Sequence, residues 1–184
     1  MPWFGRKQEE QVARRLYEGI VARARSPVFY STLGVPDSLD GRFEMVALHL
    51  CLVLRRLKAA SPKLDLLEQS LFDLFMLDKD QSLREMGAGD LGVGKKVKRM
   101  ATAVYGRIKA YNDGLAQEPP TLQEGEDSLV WALARNLYGT IEPPAHCLPI
   151  MAAYVRSQAV FLDSQDDLEF AKGNLVFAPL PASE

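Results

Sequence analysis

Residues 71–99 read LFDLFMLDKDQSLREMGAGDLGVGKKVKR, an apolar helical stretch followed by a glycine-rich break and a cationic second helix. Four glycines fall within eight positions, and each costs a helix interior about 1 kcal/mol relative to alanine. We therefore expect a turn that joins two packed helices. Asp90 is the predicted N-cap of the second helix. The predicted apolar stripe of that helix is Val93, Val97, Met100, Val104 and Ile108.

Two nucleotide-binding motifs match this stretch, but their context argues against both. Residues 87–92 fit the dinucleotide pattern G-x-G-x-x-G, which requires a strand before it, whereas residues 71–86 are predicted to be helical. Residues 89–95 fit a phosphate loop, yet Lys96 follows where a serine or threonine should bind magnesium. The turn between helices explains the glycines, and no cofactor is expected.

Helical periodicity continues through the rest of the chain. The segment 42–59 is the most apolar, and we expect it to be the central core helix with Asp40 as its N-cap. The first half of the 71–99 stretch is predicted to be helical. We expect this helix to break at residues 78–80, because Ser82 and Glu85 fit a new capping box. Further helices are predicted at residues 9–25, 127–138 and 147–162.

These patterns predict an all-α fold, a single compact helical domain of six or seven helices without an internal repeat. The domain is expected to cover residues 9–170, between a flexible N-terminus at residues 1–8 and an extended C-terminal tail at residues 171–184. A chain of 184 residues can bury about 70% of its unfolded surface, so neither a metal nor a disulfide is needed for stability.

Composition and charge restrict the class of protein. The longest largely apolar run, residues 45–54, is half the length of about 20 residues that a membrane-spanning helix needs. No targeting pattern is evident, which favours the cytoplasm of a bacterium, with peripheral attachment to the inner membrane left open. Residues 1–111 contain 19 basic and 13 acidic side chains, whereas residues 112–184 contain 3 and 11. The basic part could hold an anionic lipid or a polyanion, or the acidic part could fold back and neutralise it.

No catalytic or metal-binding group is expected. His49, Cys51, His146 and Cys147 carry possible zinc ligands. However, residues two apart on a helix point about 200° from one another, so His49 and Cys51 cannot bind the same ion. We interpret all four as core residues, and we predict a binding protein rather than an enzyme.

Two segments carry a family resemblance. SLREMGAGDLGVGKKVKRM at residues 82–100 and YGRIKAY at residues 105–111 resemble the signature of the ubiquinol-cytochrome c chaperones, assembly factors for the respiratory cytochrome b. The resemblance continues through residues 16–58 and, more loosely, through ARNLYG and AAYVRSQA, so that it covers roughly residues 11–170. It implies a chaperone that binds newly made cytochrome b and supports assembly of ubiquinol-cytochrome c reductase.

The expected contacts lie around the glycine turn. Client or partner contacts are expected at Phe72, Met76, Arg84, Met86, Asp90 and Leu91. Long-range attraction to a ribosome or an anionic membrane is expected from Lys95, Lys96, Lys98 and Arg99. Mitochondrial members of the family work with a smaller second assembly factor, whose presence here is left open. The alternative is a nonspecific RNA-binding or ribosome-binding helical module; sequence-specific binding of nucleic acid is not expected, since exposed aromatic residues for stacking are few.

Overall fold

The computed structural model describes residues 3–60, 64–85, 87, 90–117 and 127–180, with the backbone alone described at residues 3–6, 90 and 91. Within these ranges the chain forms α-helices and no β-strand, which confirms the predicted all-α fold class. The helices are α1 (Trp3–Ala24), α2 (Pro27–Ser31), α3 (Leu39–Ala59), α4 (Asp65–Glu85), α5 (Asp90–Ala116), α6 (Ser128–Asn136), α7 (Cys147–Asp163) and α8 (Asp167–Lys172). None of them, over the described residues, combines the length and the apolar character needed to cross a bilayer.

Helix α3 forms the centre of the fold and contacts α1, α4, α5 and α7. Fourteen of its 21 residues are buried, so it is apolar on nearly every side, as is typical of a helix enclosed by others. Full burial of each large apolar side chain stabilises the fold by about 1.5–3 kcal/mol. The prediction of a central core helix is confirmed, and its neighbours are positioned by the requirement to cover it.

The start of α3 differs from the prediction. Ser38 is the N-cap, and its Oγ accepts a hydrogen bond from the Gly41 N–H at 3.1 Å. Asp40, the predicted cap, instead lies in the first turn, where its negative charge is favourable near the helix N-terminus. Both residue types cap helices well, so sequence alone does not separate them. Position 41 must be a glycine, because a Cβ atom there would lie 1.9 Å from the carbonyl oxygen of Pro36.

Helix α4 runs without interruption from Asp65 to Glu85, so the predicted break at residues 78–80 is wrong. Ser82 Oγ donates to the Asp78 carbonyl oxygen at 2.8 Å within the helix and caps no new helix. The Asp78 carboxylate accepts a hydrogen bond from the Tyr17 hydroxyl at 2.8 Å, which fixes α4 against α1. Burial opposes its ionisation, but hydrogen bonds from Lys79 and Tyr17 lower the pKa of Asp78. This contact between α1 and α4 stabilises the polar residues 78–80 within the helix.

Helix α1 begins at Trp3, six residues before the predicted start at residue 9. Its predicted inner face is confirmed, because Val12, Leu16 and Ile20 are all buried. The helix packs on α4 and α3. The division of the chain into a flexible N-terminus, a domain and a tail stays a prediction.

Residues 174–180, here called the C-terminal strap, run along α7 without helix or strand. Gly173 ends α8 in the left-handed conformation, with φ of +82°, which favours glycine. Gln158 on α7 and Gln165, in the short connection between α7 and α8, each make two hydrogen bonds with the backbone of the strap, at Ala178 and at Val176 respectively. The strap is therefore joined to α7 by side-chain amides that substitute for a neighbouring strand.

Candidate functional site

The glycine-rich turn reverses the chain between α4 and α5, as predicted. Helix α4 ends at Glu85, and the Gly87 N–H donates to the Arg84 carbonyl oxygen at 3.0 Å. Gly87 has φ of +83°, a conformation that glycine adopts without steric cost. Gly92 and Gly94 lie within α5, where an added Cβ atom would meet nothing within 4 Å. The turn explains the first of these glycines, and packing does not explain the later two.

Phe72 and Met76 belong to the packing between α4 and α5. Both are half-buried and pack against the hydrophobic core. The centroids of the Phe72 and Tyr105 rings are 4.9 Å apart, which joins α4 to α5. Tyr105 is 59% exposed, so one edge of this contact faces solvent. A role of Phe72 and Met76 in binding a partner stays a prediction.

The remaining predicted contact residues surround the turn. Arg84 pairs with Asp80 one turn earlier on α4, at 2.6 Å, and is half-exposed. Met86 lies outside the described residues. Asp90 and Leu91 form the first turn of α5, but their side chains are outside the described part of the chain. The structure therefore places Arg84 and the backbone of Asp90 and Leu91 at the end of the α4–α5 pair. Asp90 is the first residue of α5, and a capping role of its side chain stays a prediction.

A wide cleft with a volume of about 1490 Å³ opens between the start of α3 and helices α4, α5 and α6. We call it the basic cleft, because its charged lining is mainly positive. Its basic residues are Arg25, Arg42, Lys79, Lys96, Arg99, Arg107 and Arg135. Its acidic residues are Asp37, Asp40 and Glu44, and its apolar residues include Leu39, Phe43, Leu83 and Met100.

Some cations of the basic cleft are neutralised and others are not. Arg42 pairs with Asp37 at 2.7 Å, Lys79 pairs with Asp78 at 2.7 Å, and Arg107 pairs with Glu44. The other four have no ion-pair partner within the described ranges, and they are Arg25, Lys96, Arg99 and Arg135. The cleft therefore keeps an excess of unpaired positive charge.

The four cations predicted to act together at the start of α5 face different surroundings. Lys96 and Arg99 line the basic cleft, whereas Lys95 and Lys98 are exposed and do not line it. Neighbouring residues on a helix point about 100° apart, and the packing of α5 against α4 and α6 decides which of them face the cleft. Whether either pair binds a membrane or a ribosome stays a prediction.

Sequence reasoning missed Arg25 and Arg135 as members of this group. Arg25 lies between α1 and α2, and Arg135 lies in the last turn of α6. Neither belongs to a local cluster of cations. The one available signal was the family resemblance, since Arg135 is part of ARNLYG and Arg25 lies within the matching stretch 16–58.

The floor of the basic cleft is a buried ion pair between α3 and α5. Arg107 Nε lies 2.6 Å from Glu44 Oε2, and Arg107 Nη2 contacts the second carboxylate oxygen. The Arg107 guanidinium also lies over the Phe43 ring, 5.8 Å from its centroid. Burial raises the pKa of Glu44 in spite of this pairing, and Glu44 raises the pKa of Arg107 although burial opposes it. This pair holds α3 and α5 at a fixed separation beneath the cleft.

The basic cleft continues into a second groove, of about 830 Å³, between α5 and α6. The two share Arg107 and Arg135 in their lining. Trp131 lines this α5–α6 groove and is 59% exposed. The rest of its lining consists of small residues and three polar ones, and these are Ala103, Gly106, Ala110, Ala132, Asp113, Ser128 and Asn136. Cleft and groove together present a long concave surface with cations at its centre and an exposed indole at one end.

The positions of the cysteines and histidines test the interpretation of all four as core residues. His49 is fully buried, and burial lowers its pKa to about 4. Its Nδ1 faces the Met45 carbonyl oxygen at 2.8 Å and so donates, while Nε2 accepts from the Tyr154 hydroxyl at 2.8 Å. Cys51 and Cys147 are buried, but His146 is exposed, so its predicted core position is wrong. Across the described ranges, no three histidine, cysteine or acidic side chains come together as a metal site.

The chain is similar to known proteins of one kind. The family described as "Ubiquinol-cytochrome C chaperone" matches residues 31–177. The ubiquinol-cytochrome-c reductase complex assembly factor 1 of Xenopus laevis is 25% identical over 169 residues, which are 91% of this chain and 81% of that protein. The Homo sapiens protein of the same name is 25% identical over 155 residues, 84% of this chain and 49% of that protein, so this chain spans about half its length.

A solved structure has the same fold. The crystal structure of the Cbp3 homolog from Brucella abortus matches this chain with a TM-score of 0.81 and 37% sequence identity. The match covers 97% of this chain and 96% of that chain.

Proposed function

This chain belongs to the ubiquinol-cytochrome c chaperone family, and we propose that it acts as an assembly chaperone for ubiquinol-cytochrome c reductase. The observation that carries the proposal is the family match over residues 31–177. The relatives named as reductase assembly factors support it, and so does the 37% identity with the Cbp3 homolog from Brucella abortus. The proposed role is binding without catalysis.

The proposed client is newly synthesised cytochrome b. A membrane protein that has not yet been assembled exposes apolar surface, and such surface aggregates unless it is covered. The concave surface formed by the basic cleft and the α5–α6 groove contains exposed or half-exposed apolar side chains, among them Leu83, Met100 and Trp131. Together with Phe72, Met76 and the residues around the glycine turn, it is the proposed client surface.

We propose that positive charge attracts the chaperone to an anionic membrane or a ribosome. Apolar contacts supply most of the affinity in such complexes, whereas charges accelerate the encounter. Lys95 and Lys98 lie outside the basic cleft and are free to face an anionic membrane or a ribosome. Neutralising Lys95, Lys96, Lys98 and Arg99 together should weaken this association and reduce its dependence on salt concentration. An unchanged salt titration with vesicles and with ribosomes would remove this part of the proposal.

The test of the proposed function is deletion of the gene in the organism that encodes the chain. We expect loss of assembled ubiquinol-cytochrome c reductase while the other respiratory complexes remain, and recovery on re-expression of the chain. Cytochrome b should co-purify with the tagged chain before assembly and be degraded faster in the deletion strain. Normal reductase assembly in that strain would refute the proposal.

A second candidate function is nonspecific binding of RNA or the ribosome, favoured by the unpaired cations of the basic cleft. RNA-binding surfaces usually add exposed aromatic rings for base stacking. The aromatic residues that line the cleft itself, Tyr30 and Phe43, are half-buried, and the Tyr30 hydroxyl donates to the Ala24 carbonyl oxygen at 2.8 Å. Among the residues that line the adjoining α5–α6 groove, Trp131 is the one aromatic ring, and one ring cannot stack a series of bases. We therefore rank this function second. It predicts binding to RNA that is independent of cytochrome b.

A further inference from the structure

We propose that the basic cleft binds a polypeptide segment of a protein partner that carries both acidic and apolar side chains. The inference goes beyond the proposed function, because it concerns the chemistry of the bound segment and does not depend on which respiratory protein supplies it.

The lining of the basic cleft has an excess of positive charge. Seven cations and three carboxylates line the cleft, and two of the carboxylates are already neutralised by Arg42 and Arg107. Four cations remain without an ion-pair partner in the described part of the chain, against one such carboxylate, Asp40. They come from the α1–α2 junction, α5 and α6, so residues far apart in sequence direct positive charge at one cavity. A surface with this imbalance attracts an anion.

The basic cleft is large, and part of its lining is apolar. Sites for small molecules usually have volumes of about 300–1,000 Å³. The basic cleft is larger, at about 1490 Å³, and continues into the α5–α6 groove. Leu39 at the cleft is 71% exposed, and Leu83 and Met100 are half-buried. An isolated phosphate or carboxylate would leave these side chains uncovered, so the occupant must bring apolar side chains with its acids.

A membrane and an RNA strand fit the basic cleft less well than a polypeptide does. A bilayer surface is flat on this scale, and the cations best placed to meet it are Lys95 and Lys98, which lie outside the cleft. Single-stranded RNA needs several exposed rings for stacking, whereas the two aromatic residues of the cleft are half-buried and the α5–α6 groove is lined by one exposed ring, Trp131. A helix or extended segment with acidic and apolar faces fits a concave surface of this composition.

Two variants of equal charge test the proposal. The cleft variant is Lys96→Ala with Arg99→Ala, and the matched control is Lys95→Ala with Lys98→Ala. Both pairs are exposed residues of α5, so the change in charge and the effect on the helix are closely similar. Arg135→Ala on α6 forms a third arm, since it removes a cleft cation from a different helix. Thermal unfolding should show that all variants are folded.

The probe is a fluorescent synthetic helical peptide of about 18 residues, or five turns, built from glutamate and leucine. Its affinity for the purified chain is measured by anisotropy at low and at high salt. We expect about tenfold weaker binding to the cleft variant, weaker binding to Arg135→Ala, and less than twofold change in the control. A peptide with glutamine in place of glutamate should bind weakly to every form.

Several results would overturn the proposal. Equal loss of peptide binding in the cleft variant and the control would mean nonspecific attraction. Cleft-dependent binding of anionic phospholipid vesicles or of homopolymeric RNA, with peptide binding unaffected by the variants, would identify another class of partner. A photoreactive group on the peptide should label Leu83 or Ala103, and labelling confined to α7 would also refute it. These measurements use the isolated chain, so peptide binding can fail while the deletion strain still supports the proposed function. Equally, the peptide can bind to the cleft while the deletion strain assembles the reductase normally.

Discussion

Gln158 on α7 and Ala178 in the C-terminal strap are joined by both ends of one side-chain amide. The Gln158 Nε2 donates to the Ala178 carbonyl oxygen at 3.2 Å, and the Ala178 N–H donates to Gln158 Oε1 at 2.8 Å. Both residues are buried. Buried backbone groups need partners, and here one glutamine supplies both. Gln165, just beyond the end of α7, repeats the arrangement at Val176, which is exposed.

Replacing Gln158 with alanine should lower the free energy of unfolding by about 2 kcal/mol or more, because it leaves a buried N–H and a buried C=O without partners. Urea unfolding followed by circular dichroism measures the change. Gln165→Ala is the matched control, and its cost should stay below about 1 kcal/mol, since water can reach Val176. Equal costs for the two variants would contradict the role assigned to burial.

His49 should make stability depend on pH. Its pKa is about 4 in the folded protein and 6.5 in the unfolded chain, so between these values the unfolded chain binds more protons. Stability from the neutral ring is complete above pH 6.5 and is lost as pH falls towards 4. His49 alone should lower the free energy of unfolding by about 2 kcal/mol between pH 7 and pH 5.

The measurement is urea unfolding at a series of pH values. His49→Gln should flatten the profile in this range, although it lowers stability at pH 7. The other histidine, His146, is exposed, so His146→Gln should leave the profile unchanged. A profile that responds to His146 instead would show that burial of His49 does not control it.

Gly114 and Gly106 on α5 should respond in opposite directions to alanine. A Cβ atom on Gly114 would lie 2.7 Å from the Cα of Leu129 on α6, so Gly114→Ala should force the helices apart and cost about 2 kcal/mol. At Gly106 nothing lies within 4 Å, and Gly106→Ala should gain up to about 1 kcal/mol from helix propensity. Thermal unfolding of both variants gives the comparison. A stabilised Gly114→Ala protein would mean that the two helices separate without strain.

Breaking the ion pair beneath the basic cleft should be costly. Arg107→Ala leaves Glu44 buried without a partner, and we expect a loss of about 3 kcal/mol at pH 7. The loss should be smaller at pH 5, because burial raises the pKa of Glu44 and a protonated carboxyl carries no charge. The double variant Glu44→Gln with Arg107→Met should recover most of the stability, as chemical denaturation would reveal. A larger loss at pH 5 than at pH 7 would reject this explanation.

The helices could be predicted because local patterns determine them. The apolar spacing at Val12, Leu16 and Ile20 reports a buried face wherever it occurs, and the density of glycine at the turn excludes a continuous helix. Errors arose where a tertiary contact decides between local alternatives. The Tyr17 hydroxyl binds the Asp78 carboxylate within the uninterrupted α4, and Ser38 caps α3 where the carbonyl oxygen of Pro36 leaves room only for a glycine at position 41.

The candidate site was predictable only in part. A run of cations identifies the start of α5, and Lys96 and Arg99 do line the basic cleft. The separation of these two from Lys95 and Lys98 depends on the rotation of α5, which its neighbours set. Arg25 and Arg135 reach the same cleft through the fold, from segments with no common local pattern. No periodic pattern in the sequence connects residues 25, 96 and 135.

The attachment of the C-terminal strap has a consequence for the synthesis of this protein. Arg15 and Arg23 on α1 donate to the carbonyl oxygens of Lys172 and Phe177, across separations of 157 and 154 residues. The ribosome produces α1 and α3 long before it produces the segment that covers them. Until then part of the hydrophobic core of the nascent polypeptide stays exposed. A fragment that ends before Phe170 would therefore be prone to aggregation. A truncated chain of this kind would expose the same type of apolar surface that the complete protein is proposed to cover on its client.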